Sequence, residues 1–377
     1  MAEKMKAVVK TEPKLGAVFM DHAMPHIKPD EVLVKVRATS ICGTDVHIYK
    51  WDDWSEKRIG PKRLPQILGH EVAGEVVEVG GHCTHIKSGD YISAETHIYD
   101  PGDLTAQLGQ LHIGEHMKIL GVDCDGAFAE YFAVPESVCW VNDKSIPPEF
   151  ATIQEPLGNA TYATLGEDAD VAGKTMVITG DGPISLFAVG VARACGVARI
   201  FLVGKYDFNM EIGKKMGADH LLWTNKSTAD ERLAFVREHT AGNGTDICLE
   251  MVGSNDSIVD CFRMVRKGGR VSAFGIAPSS PLMLDYNNGI VFKGCQIHGI
   301  SGRKMFDTWY RVRNLLANKR LDVTPVITHM FPLEEFEKGF AAMLERPRKS
   351  AKVVLFPDRK EHEAALKRRD DLSPEGS

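Results

Sequence analysis

TMVITGDGPISLFAVGVARACGVARIFLVG, residues 175–204, decides the fold of this chain. TMVITG (175–180) is an apolar run of strand length ending in a glycine turn. The apolar stretch beyond it, ending near Cys195, reads as a helix leading to a second strand, RIFLVG (199–204). Gly180 permits the tight turn, and Gly182 lets backbone N–H groups approach a pyrophosphate at the helix N-terminus. Pro183 suits a first helical turn, where its missing N–H costs little, and Ser185, after Ile184, stands where a third glycine usually sits. Gly-x-Gly alone is weak evidence. Between a strand and a helix it predicts a dinucleotide site built on Gly180, Gly182, Pro183 and Ile184.

The same rhythm continues downstream. HLLW, a helix near 228–240, DICLEMVG, a helix near 255–266, RVSAFG and GCQIHGI (294–300) alternate strand and helix, the pattern of a doubly wound parallel sheet. Upstream the pattern differs. AVVK, EVLVKVRA, EVAGEVVEVG, DYISAE and AEYFAVP are short apolar or alternating runs broken by Gly, Pro and Asp, as in a compact, barrel-like all-β domain. Past residue 300, helices around MFDTWYRVRNLLAN and LEEFEKGFAAMLE precede a strand, AKVVLF, expected to return to the first domain. The chain is therefore read as α/β: a β-rich catalytic domain (1–155 and 300–357), a dinucleotide-binding domain (156–299) and a charged tail (358–377), a frayed helix or a disordered segment.

A chain of 377 residues can bury two cores, and its 44% hydrophobic and 25% charged content is ordinary for a globular protein. A net charge of −6 argues against nucleic acid as a partner. No apolar run reaches the roughly 18 residues of a membrane span. MAEKMKAVVKTEPKLG lacks the apolar centre of a signal peptide, so a cytoplasmic protein is expected. The eight cysteines are scattered without a CxxC pair, and most read as free core thiols.

Cys42 is the exception. Cys42-Gly43-Thr44-Asp45-Val46-His47 and Gly69-His70-Glu71 place a thiol and an imidazole in the β-rich domain, donors that suit Zn²⁺. Glu155, at the junction of the two domains, can complete a set of Cys42, His70, Glu71 and Glu155, or cap a helix there. Glu71 can equally serve as a base beside the metal. At the end of RIFLVG, where an NAD site usually carries Asp or Glu, stand Gly204 and Lys205. Glycine leaves room for a 2′-phosphate that Lys205 could neutralise, which favours NADP. The alternative is an NAD site served by Asp207.

These motifs, in this domain order, resemble the medium-chain zinc-dependent alcohol dehydrogenases. HIYKWDDW (47–54), SAETHI (93–98), GVDCDGAFAEY (121–131), QEPLGNA and GISGRKMFDTWY (299–310) resemble the threonine dehydrogenase branch of that family. The likeness spans residues 5–356. It implies a GroES-like catalytic domain beside a Rossmann cofactor domain, one catalytic zinc, and a homotetramer or homodimer. It also implies Asp45 orienting His70, Thr44 and His47 relaying the proton, and His97 and Arg303 near the amino acid end of the substrate. The implied reaction moves a hydride between a small polar hydroxy substrate, L-threonine or a similar β-hydroxy amino acid, and a nicotinamide dinucleotide. A polyol dehydrogenase is the rival within the family. A cofactor-binding protein without catalysis would be expected to lack Cys42, His70 or Thr44, and all three are present. The branch normally holds a structural zinc on four cysteines; here Asp100, Asp103, Ala106 and Gly114 align with them, so no structural zinc is expected and DPGDLTAQLGQLHIGEH must be held otherwise.

Overall fold

Six strands, Thr175–Thr179, Arg199–Gly204, His220–Trp223, Thr245–Glu250, Val265–Ala273 and Gln296–Gly299, form one sheet. They lie side by side as third, second, first, fourth, fifth and sixth, every neighbouring pair parallel. The order reverses beside Thr175–Thr179, which opens a crevice at the carboxyl ends of the strands, where open α/β sheets bind ligands. The structure, a computed structural model, describes residues 3–277 and 282–372.

The central strands Thr175–Thr179 and Arg199–Gly204 are largely apolar because both faces of the sheet are covered there. Met176 and Ile178 pack with Leu186 and Val189 of the helix Pro183–Ala194. Val177, on the other face, packs with Phe201, Val236 and Phe262.

A second, largely antiparallel sheet runs Cys139–Val141, Tyr91–Ala94, Glu71–Val79, Glu31–Ile41, Lys352–Phe356, Ile327–Pro332, with Tyr131–Pro135 also on Glu31–Ile41. A three-stranded sheet of Val18–Ala23, Lys4–Lys10 and Gln66–Ile67 completes this part. The chain returns to this sheet at its last strand, with Val353 opposite Ile41 and Leu355 opposite Thr39. The strand Ile327–Pro332, hidden in the mixed ITHMFP, accompanies it. Between the two large sheets the buried helix Gln154–Leu165 places Leu157 and Ala160 in one core with Ile178 of the parallel sheet and Ala38 and Val354 of the other.

Of the two states expected for the charged tail, a frayed helix or disorder, the described part is a helix, Arg359–Leu372, and it is docked on the first domain. Ala365 is buried, Arg368 makes two 2.8 Å bonds to Glu149, and Arg37 bonds Glu361 at 2.7 Å. Its attachment is largely ionic, with only Ala365 and Leu366 packed on the core, so no apolar stripe announces it. Residues 373–377 of that tail lie outside the described residues. No described helix is long and apolar enough to cross a membrane.

Candidate functional site

Cys42 is the N-cap of the helix Gly43–Lys50, and its backbone N–H donates to Asp45 Oδ2 at 2.8 Å. Asp45 is fully buried, and its other oxygen accepts from Gly69 N–H at 3.2 Å and faces His70 Nδ1 at 3.6 Å. A single carboxylate thus ties the Cys42 turn to the segment carrying His70. Burial would lower the His70 pKa, but the charges of Asp45 and Cys42 outweigh it and hold the imidazole well above its ordinary value. Donor atoms of Cys42, His70 and Glu71 lie within 4.8 Å of one another.

The two candidate carboxylates differ. Glu71, fully buried, accepts two 2.8 Å bonds from Lys352 Nζ and one from Ser40 Oγ. Burial alone would lower the Lys352 pKa; Glu71 outweighs it and keeps the lysine charged. Glu155 stands outside the three-residue cluster, its carboxylate turned to Arg303 Nη1 at 2.5 Å.

Arg303 is brought to the site but is not free to meet a substrate carboxylate. It is 1% exposed, and its guanidinium is shared by Glu155, Asn159 and both oxygens of Glu95. The sequence could not reveal this, because Glu95 lies 208 positions away. Glu95 also accepts from Trp309 Nε1 at 2.7 Å. Burial would raise its pKa; Arg303 overrides that and takes it down to about 2.

His97 packs against Gly302, where a Cβ would lie 2.4 Å from its ring. Burial, then the Arg303 charge, lowers its pKa to about 4, so near neutral pH it offers an uncharged imidazole. Thr44 Oγ1 lies 3.9 Å from Cys42 Sγ. His47, one turn further along the same helix, reaches solvent and bonds Asp52 through Nδ1.

The segment aligned with the missing cysteines is closed by its own side chains. Asp103 accepts from the His116 backbone N–H at 3.0 Å and pairs with its ring. Its Oδ2 lies 2.4 Å from where a Gly114 Cβ would stand.

At the parallel sheet, Gly180 turns at φ +92° and Gly182 is the N-cap of Pro183–Ala194, with Ile184 in its first turn. The space expected beside Gly204 is filled. A Cβ there would lie 2.8 Å from Asp181 Cβ and 2.4 Å from Met210 Sδ. Lys205 is exposed, and Asp207, the alternative ribose partner, pairs with Lys226 at 2.5 Å. Sequence reading passed over Glu95, Lys352 and Asp181. A charged residue beside an apolar strand or inside a glycine turn was the only local sign of each.

Residues 28–144 match the alcohol dehydrogenase GroES-like domain and residues 183–318 the zinc-binding dehydrogenase domain. The chain belongs to the zinc-binding dehydrogenases. It is 45% identical to the L-threonine 3-dehydrogenase of Bacillus velezensis, over 95% of this chain and all of that one. To the L-threonine 3-dehydrogenase of Pyrococcus horikoshii it is 44% identical, over 94% and 99%. The alcohol dehydrogenase of Thermus sp. ATN1 superposes with a TM-score of 0.82 at 27% identity, covering 93% of this chain and 99% of that structure. As a zinc-binding dehydrogenase, this chain is an NAD(P)-dependent oxidoreductase of alcohols.

Proposed function

We propose that this dehydrogenase oxidises the secondary hydroxyl of L-threonine or a similar β-hydroxy amino acid, with Cys42, His70 and a carboxylate holding zinc in the catalytic domain, 1–155 and 300–357. The observation that carries it is the cluster of thiol, imidazole and carboxylate within 4.8 Å. A thiol, an imidazole and a carboxylate so close together are a donor set that fits zinc. Glu71 and Glu155 are the candidate carboxylates, each now balanced by a cation, Lys352 or Arg303. The likeness to curated threonine dehydrogenases over nearly the whole chain supports the substrate.

Held by Cys42, His70 and a carboxylate, zinc would supply Lewis acidity toward a substrate hydroxyl oxygen, and a bound nicotinamide would supply the hydride acceptor. The chain supplies position and a proton path. Asp45 fixes the His70 ring, a contact of the kind that tunes metal ligands. Thr44 can take the hydroxyl proton, and His47, open to solvent on the same helix, can release it. Arg303 positions Glu155, and the neutral His97 offers a hydrogen bond to a polar substrate group.

The engaged state of Arg303 favours a second reading, a neutral vicinal diol, which needs no cation for a carboxylate. One assay separates them. The zinc-replete protein is given L-threonine, sorbitol or butane-2,3-diol with NAD⁺ and NADP⁺ in parallel, reduced nicotinamide is followed, and metal content is measured. Turnover of threonine establishes the first reading. Turnover of a diol alone establishes the second, and absence of zinc from purified protein removes both.

A further inference from the structure

Asp181, between Gly180 and Gly182, is not needed for the glycine turn itself. Gly180 makes the bend and Gly182 starts the helix. Yet the Asp181 side chain reaches the end of the second parallel strand. There Oδ2 accepts from the backbone N–H groups of Lys205 at 2.8 Å and Tyr206 at 2.6 Å. The Asp181 carbonyl is held in turn by Asn209 Nδ2 at 2.7 Å. Two successive N–H groups converging on one point form an anion-binding nest. Here the protein fills that nest with its own carboxylate.

The arrangement explains Gly204. A Cβ at that position would lie 3.1 Å from Asp181 Cγ and 2.8 Å from Asp181 Cβ, so no acidic side chain can stand at the strand end. The carboxylate that a dinucleotide fold usually places there has come instead from the glycine turn. Two cations border the same place. Lys205 is exposed at the strand end, and Arg348, from the segment that returns to the first domain, has Nη1 4.0 Å from the Cβ position of Gly182. Arg348 Nε is buried and has no partner among the described residues.

We propose that Asp181 selects the cofactor: by filling the nest at Lys205 and Tyr206 it admits a dinucleotide with a free ribose 2′-hydroxyl and refuses one carrying a 2′-phosphate. Oδ1, without a hydrogen-bond partner among the described residues, is the acceptor for the ribose hydroxyl. A 2′-phosphate would meet a like charge and find its N–H donors taken. With the carboxylate removed, Lys205 and Arg348 are left to receive that phosphate. The inference rests on the dinucleotide reading of this turn.

Isothermal titration of the whole protein with NADH and NADPH, without substrate, tests it. The unaltered chain is expected to bind NADH about tenfold or more tightly than NADPH. Asp181→Ala is expected to narrow or invert that ratio by about tenfold, with NADPH affinity itself rising, and Arg348→Ala in that background to cancel the gain. Asp181→Asn keeps the shape of the turn and should lie between, which guards against misfolding of the alanine variant. Tighter binding of NADPH by the unaltered chain, or equal losses for both cofactors in the Asn and Ala variants, would overturn the selection by Asp181 alone. Failure of the unaltered chain to bind either cofactor would overturn the dinucleotide reading with it.

Discussion

Gly69 sits at φ +92°, and a Cβ there would lie 2.0 Å from the Phe128 ring. Both the backbone and the packing demand glycine, directly before His70. Gly69→Ala should therefore cost about 3 kcal/mol by strain and overpacking together, and should lower zinc content by displacing His70; denaturant unfolding and metal analysis measure the two effects. Lys352 makes the opposite case, a buried cation held by a buried anion. Lys352→Met leaves Glu71 uncompensated and should cost about 3–5 kcal/mol, whereas the double variant with Glu71→Gln should lose much less than the two single losses combined. Glu95 adds a pH dependence. Its folded pKa, about 2, lies below the ordinary carboxylate value, so its contribution is full above that ordinary value. The contribution is lost as pH falls from about 4.5 toward 2, and Glu95→Gln should flatten that acid limb in unfolding measurements. At this scale the motif residues were legible in the sequence because Cys42-x-Thr44-Asp45 and Gly69-His70-Glu71 are local. Their counter-charges were not: Lys352 lies 281 positions from Glu71, and nothing in AKVVLF names its partner.

The elements of the parallel sheet were readable because strands covered on both faces must be apolar throughout, as TMVIT and RIFLV are. Ile327–Pro332 escaped because a histidine and a proline interrupt its apolar run. The docking of the helix Arg359–Leu372 escaped for a related reason. The helix is attached by Arg368 and Glu361, with Ala365 and the half-buried Leu366 as apolar contacts, too few to leave a periodic trace. Its removal has a definite expected outcome. Deleting residues 358–377 removes the arginine paired with Glu149 and the core contacts of Ala365 and Leu366, and should destabilise the first domain by about 2 kcal/mol. A thermal midpoint equal to that of the whole chain would show that the helix contributes nothing.

In the whole molecule the two large sheets differ in how they are assembled along the chain. The parallel sheet is contiguous, from Thr175 to Gly299, whereas the other joins Glu31–Ile41 to Lys352–Phe356 across more than 300 positions. A chain ending at residue 345 should therefore keep a protease-resistant fragment over residues 175–300, yet lose zinc and leave its first 150 residues open to cleavage; limited proteolysis with metal analysis would decide it. The returning strand also orders events at the ribosome. The cofactor sheet can close as soon as it emerges, while the first part of the chain must wait with Glu71 lacking its lysine. The proposed metal site is thus among the last features of the protein to be finished, and a nascent chain released early is left without it.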